Sequence, residues 1–170
     1  VDRMRRDVQT GFTNTVSGAD LIVGARTGSI QLLLSSVFRI GNASNNMEWE
    51  SYEMLSGHAA VEWSIPVSLG DSHRGYRVLG TTGAYYDHLQ YGNHQKLRFN
   101  KGAWFASDSE AVIGAEVAKA LDYQVGDQLV VAHGAGDISF IKHDEHPFTI
   151  TGILERTGTP VDRTIHVDLS

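Results

Sequence analysis

The sequence contains no cysteine, which removes disulfide frameworks, zinc–thiolate centres and thiol nucleophiles together. Cysteine-free chains occur on either side of a bacterial membrane, so this absence sets no compartment. Proline is scarce, three residues against eighteen glycines, and turns must therefore rely on glycine. Basic residues are outnumbered, fourteen Lys and Arg against twenty Asp and Glu, giving a net charge of -6. A chain with no basic stripe has nothing to offset a phosphate backbone, which argues against nucleic acid as a partner. No apolar run approaches the ~20 residues of a membrane-spanning helix. The most apolar stretch, "IQLLLSSVF", is interrupted by Gln31, Ser35 and Ser36. Nucleotide-binding glycine signatures are also missing: there is no G-x-x-x-x-G-K-[ST] and no G-x-G-x-x-G between strand and helix. "AHGAGD" is glycine-rich but opens no helix that could face an anion. The sequence begins at Val1 with no initiator Met and no signal peptide, and it reads as a piece of something longer.

What remains is ordinary globular composition, 41% hydrophobic and 20% charged over 170 residues, enough for one sizeable core or two small ones. Val1, Met4, Val8 and Phe12 fall at helical spacing and predict an amphipathic N-terminal helix. "ADLIVGA" predicts a short buried strand. "IQLLLSSVF" predicts a helix with Ile30, Leu33, Leu34 and Val37 on one face, and "MEWESYEMLSG" a second helix closed by Gly57. "AVEWSIPVSLG" sets Val61, Trp63 and Ile65 against Glu62 and Ser64, the alternation of a half-buried strand. "YRVLG" gives another strand and "TTGAYYDHLQYG" a loop or irregular helical turn. "EAVIGAEVAKALD" reads as a strand running into a helix through Ile113, Val117 and Leu121. "GDQLVVA", "PFTITGILE" and "VDRTIHVDL" read as strands. In the last, Val161, Arg163, Ile165, Val167 and Leu169 face one way, and Asp162, Thr164, His166 and Asp168 the other. Strands outnumber helices in irregular order, which predicts an α+β fold. Composition shifts near Thr81, so two lobes are expected: a mixed one over 1–80 and a strand-rich one over 81–170.

Two pieces of chemistry suggest themselves. "GDS" at Gly70–Ser72 resembles a serine-hydrolase string, but no histidine carries an aspartate three positions upstream to act as its base. A turn between two strands explains the same letters. His133, His143 and His146, with Asp137, Asp144 and Glu145 nearby, offer ligands that zinc could gather at about 2.0–2.2 Å; a solvated loop accounts for them equally. Carboxylates form no acid–base pair. Tyr85, Tyr86, Tyr91, Trp104 and Phe105 read as packing rather than as a ligand cage.

"ADLIVGARTGSIQLLLSSVF", "IPVSLGDSHRGYRVLGTT", "EAVIGAEVAKAL", "VGDQLVV" and "FTITGILERTGTPVDRTIHV", together with "KGAWF", resemble in sequence and order the periplasmic core domain of MacB-like (FtsX-like) ABC transporter permeases. The resemblance spans nearly the whole chain. It implies a porter-like first lobe, a sabre-like second lobe, and an inner-membrane protein with this domain on the periplasmic side. It implies no catalysis and no cofactor in this chain. The expected partners are a separate ABC ATPase subunit, a second permease subunit in a dimer, and a further periplasmic protein. ATP-driven closure would be passed along membrane helices to move the paired domains for export or extraction of a substrate. A periplasmic zinc module built on His133, His143 and His146, alone or within such a transporter, is the alternative. The family pattern continues beyond "IHVDLS", and Arg3, Arg5 and Arg6 would lie outside the membrane, against the usual inward bias of basic residues. The apolar "IQLLLSSVF" then has two readings: a helix packed on the chain's own strands, or a surface meant for a second domain or a cargo.

Overall fold

A computed structural model describes residues 14–25, 28–41, 46–132 and 147–169. The predicted N-terminal helix falls almost entirely outside them, as do His133, His143 and His146.

Four helices are described: α1 (Ser29–Ser36), α2 (Trp49–Ser56), α3 (Gly83–His88) and α4 (Ala115–Leu121). The strands are β1 (Ser68–His73), β2 (Tyr76–Thr81), β3 (Gln90–Tyr91), β4 (Gln95–Lys96), β5 (Phe99–Gly102), β6 (Glu110–Ile113), β7 (Gln128–Leu129), β8 (Phe148–Leu154) and β9 (Thr164–Asp168). Seven strands form one mixed sheet in the order β1-β2-β9-β6-β8-β5, with β7 on β8; β3 and β4 form a separate ribbon. The class is α+β, as the sequence predicts. β2 runs parallel to β9, and β6 parallel to β8; the other pairings are antiparallel. The pairing of β2 with β9 joins strands from the two sides of residue 81.

Alternation along the strands fills both faces. One face gathers Val78, Ile113, Ile150, Ile165 and Val167 beneath Val117 of α4 and Leu129 of β7. The other gathers Leu79, Val112 and Leu154 beneath Tyr85 of α3, with Leu97, Phe105 and Val161. In β8, Ile150 and Ile153 share a face although three residues apart. Against β6 the register jumps from Ile150 to Gly152, and the bulge at Thr151 resets the alternation.

Two glycines drawn from separate sequence motifs meet here. Gly102 of "KGAWF" is registered opposite Gly152 of "FTITGIL". A Cβ on Gly152 would lie 2.4 Å from the Ala103 carbonyl oxygen, and one on Gly102 2.0 Å from that of Thr151. Only glycine allows these backbones to approach so closely. Gly114 of "VIGAEV" serves likewise: a Cβ there would meet the Val161 and Asp162 carbonyl oxygens at 2.2 and 2.4 Å.

Several expectations need correction. "ADLIVGA" forms no strand; Leu21 is 82% exposed, and the segment instead runs beside α1, a Cβ on Gly24 falling 2.5 Å from Leu32 Cδ1. The Val61–Ile65 alternation is irregular chain, and β1 begins only at Ser68. Pro66 has no N–H for a ladder, and its carbonyl instead accepts from Thr81 Oγ1 at 2.7 Å. Strand β7 keeps two residues of "GDQLVVA", because Val130 O turns to His73 and Ala132 bridges to Ser72. Residues Pro160–Arg163 form a 3₁₀ turn capped by Thr159 Oγ1 rather than the start of β9. Both faces of β9 are buried, Thr164 and His166 on the one being as fully enclosed as Ile165 on the other. Finally, α1 does not pack through Ile30 and Leu34: Ile30 is 73% exposed and Leu34 is exposed, while Val37 and Ser35 are buried.

Candidate functional site

The chemistry-bearing group that the fold assembles is a buried polar cluster around His166. β9 is a central strand, flanked by β2 and β6, so a side chain on either face of it is covered by whatever lies above. The ring of His166 packs against Tyr85 (centroids 5.0 Å apart) and Trp104 (5.7 Å), and Tyr85 stacks on Trp104 at 6.0 Å. His166 Nδ1 lies 3.2 Å from Val112 O; a carbonyl only accepts, so Nδ1 carries the proton and Nε2 presents a lone pair.

Arg39 enters this cluster from the segment after α1. It sits at φ 60°, the left-handed region that a non-glycine residue occupies only at a cost of about 1–2 kcal/mol. Its Nη1 donates to Ser36 O, and Nη2 lies 3.4 Å from Tyr85 Oη. Arg39 Nε, Trp104 Nε1 and His166 Nε2 are buried without a hydrogen-bond partner among the described residues. The His166 pKa is lowered to about 3, chiefly by burial and then by the Arg39 charge, with the Val112 hydrogen bond opposing both. Burial raises the Tyr85 pKa, with Arg39 pulling the other way. His166 is thus neutral at any ordinary pH. An imidazole so far from neutrality in its titration is poorly matched to general acid–base work. What the cluster does is tie the end of α1, through Arg39, to the middle of the sheet.

Ser72 lies within β1, where its N–H and C=O exchange hydrogen bonds with Ala132. The turn falls two residues later, at Arg74 and Gly75, both at positive φ in the manner of a primed hairpin turn. Neighbouring His73 is no base for Ser72: its Nδ1 lies 2.5 Å from Val130 O and its Nε2 2.9 Å from Tyr123 Oη. The aromatics singled out in the sequence are packing residues here, Tyr85 and Phe105 in the core and Tyr86, Tyr91 and Trp104 against it. His133, His143 and His146 lie outside the described residues; among the described residues no group of three metal-binding side chains converges.

Sequence reasoning passed over His166 and Arg39. The signal for His166 was present: in "TIHV" it alternates with isoleucine and valine on a strand whose both faces are covered. Arg39 carried none, because its inward turn depends on a left-handed backbone that arginine does not announce.

A mixed seven-stranded sheet with α4 on one face and α3 on the other defines an α+β domain, and comparison with known families says which kind. The chain belongs to the MacB-like periplasmic core domain family, which matches it over residues 1–170. It is therefore the periplasmic or extracellular part of a MacB-like ABC transporter permease, a part that is not catalytic in this family. Among solved structures, the chain is similar to the periplasmic region of MacB from Actinobacillus actinomycetemcomitans, at 14% identity and a TM-score of 0.49, over 76% of this chain and 58% of that one. It is also similar to the extracellular domain of the noncanonic ABC-type transporter YknZ from Gram-positive bacteria, at 14% identity and a TM-score of 0.46, over 72% of this chain and 62% of that one. The chain thus spans about three-fifths of the length of each. No curated protein matches significantly. Among the described residues, no helix is long and apolar enough to cross a membrane.

Proposed function

We propose that this domain transmits an ATP-driven conformational change across the inner membrane for the export or extraction of a substrate. It would act as a rigid body carried on membrane helices in a dimeric permease, with a separate ABC ATPase subunit supplying energy and a periplasmic protein as a further partner. The observation that carries this reading, beside the family, is the seven-stranded sheet with both faces filled, whose central strands β2, β9 and β6 each have a neighbour on both sides. A lever must keep its shape while its position changes, and coupling requires contacts that differ between two positions. The two-lobe division near residue 80 is a proposal of the same kind; because β2 is paired with β9 across that boundary, the lobes would share one sheet, and faster amide hydrogen exchange before residue 68 than in the sheet is its expected signature.

Because these 170 residues contain no cysteine, a label introduced here meets no competing thiol within the domain. In the membrane-embedded permease, spin labels at Asp108→Cys and Lys119→Cys report distances within one domain and, singly, between two. Within a domain, the distance stays fixed across nucleotide states; between domains it shifts by several ångströms. A between-domain distance indifferent to ATP would end the proposal.

The zinc module at His133, His143 and His146 is a separate proposal, supported by sequence spacing. Calorimetric zinc titration of the protein and of its His143→Ala/His146→Ala variant tests it, and no heat at micromolar metal disposes of it.

A further inference from the structure

A cleft of about 580 Å³ opens between the segment after α1, the start of β2 and the connection from β8 to β9. Its volume lies in the range of small-molecule sites, about 300–1,000 Å³. In a chain of net charge -6, this one cleft is lined by four arginines, Arg39, Arg77, Arg156 and Arg163, against two carboxylates, Glu116 and Asp162. The two carboxylates offset half of that charge, and two arginines are left in excess. Asp162 is buried and already accepts from Thr157 N, Thr157 Oγ1 and Gly158 N at 2.7–2.8 Å, fixing the loop that forms one wall. Glu116 is paired with Arg163, whose guanidinium also lies 5.3 Å from the centre of the Tyr76 ring. Arg156 reaches only to 4.0 Å from Asp162 and is 80% exposed, so among the described residues no close partner holds its fork of donors. Arg77 leans across the cleft to donate to Gly41 O at 2.9 Å.

We propose that this cleft binds an anionic ligand through an oxyanion, a phosphate or carboxylate group gripped by Arg156 and Arg163, with Tyr76 as an apolar wall. Guanidinium groups present paired donors that match such oxygens bidentately. Like charges gathered in a partly enclosed space repel, and an anion entering there gains from a focused positive field. The same chemistry could arrive as a free phosphate or as the headgroup of an acidic lipid. The site stands apart from the transmission reading and survives its failure.

The test follows amide chemical shifts by NMR during titration of the purified protein with inorganic phosphate at low salt. Cosedimentation with vesicles of neutral lipid, with and without phosphatidylglycerol, supplies the second arm. Saturable shifts at Arg156, Thr159 and Arg163 are expected. Binding should weaken at least tenfold in Arg156→Gln/Arg163→Gln and stay unchanged in Arg98→Gln, which changes an exposed arginine outside the cleft. Exposure of Arg156 keeps the single Arg156→Gln variant folded, and it alone should weaken binding severalfold. Response to phosphate without vesicle binding identifies a free oxyanion; vesicle binding that needs phosphatidylglycerol and is lost in Arg156→Gln identifies a headgroup. No saturable response to either probe, or equal losses in Arg98→Gln and Arg156→Gln, overturns the proposal.

Discussion

The centre of the sheet and the segment around α1 are built from similar residues and end in opposite environments. Ile113 and Ile165 have no exposed surface, whereas Leu21, Val23, Ile30 and Ile40 are mostly open to solvent. Composition does not separate the two regions; backbone pairing does. Strands β2, β9 and β6 each have a neighbour on both sides, and their alternating side chains are covered from both faces. Around α1, Val37, Ser35 and the Arg39 side chain are the attachments, and the apolar residues between them have no described surface to meet. Isolated exposed apolar residues are commonplace, but several within twenty positions mark a region whose covering lies elsewhere.

The contrast can be broken by substitution. Ile165→Ala should cost about 4 kcal/mol of unfolding free energy by denaturant titration, since it opens a cavity where nothing can collapse; a cost below about 1 kcal/mol would mean that the centre is not tightly packed. Gly152→Ala should cost about 3 kcal/mol, because its methyl group would collide with the backbone at Ala103. Thermal unfolding that leaves Gly152→Ala equal to the parent would contradict the close pairing with Gly102. A third measurement uses pH. The folded pKa of His166 is depressed to about 3 from an ordinary 6.5, so between these values the unfolded chain binds the extra proton. Its neutral burial is therefore fully tolerated above pH 6.5, and stability falls as pH drops towards 3. The loss should be on the order of 3 kcal/mol between pH 6.5 and 4. It should be missing from His166→Asn, so the gap between the two proteins narrows in acid; a constant gap would show that His166 does not titrate as described. The smallest effect belongs to the α1 region. Ile30→Ser should change stability by less than about 0.5 kcal/mol, and a loss above about 1.5 kcal/mol would show that this face is covered after all.

The same division explains what was legible in the sequence. β2, β6, β8 and α4 could be read because their periodicity answers to surfaces that really are buried, whereas α2 buries no residue and was legible from its closing Gly57. "ADLIVGA" and the Val61–Ile65 stretch carry equally good strand patterns, yet periodicity cannot tell whether a partner strand exists or whether Pro66 spoils the ladder. In β9 the alternation was real but its meaning was not, since a polar face reads as solvent-facing unless the strand is known to be central. Three of the motifs that carry the family resemblance hold a glycine whose role emerges only in three dimensions: Gly102, Gly114 and Gly152 each mark a place where another backbone approaches. The arginine cleft was invisible, because its members are scattered from Arg39 to Arg163.

The position of β9 governs when the domain can take shape. It is the last of the described strands in chain order, yet it is inserted between β2 and β6 and pairs Arg77 with Thr164 across most of the described chain. A chain emerging residue by residue can complete the β1–β2 hairpin early, but the middle of the sheet must wait until β9 arrives, and such long-range closure is slow. Until then the inner edges of β2 and β6 stand open, with the unpaired backbone that invites association with other chains. The interval before β9 docks is where this domain is most in need of protection.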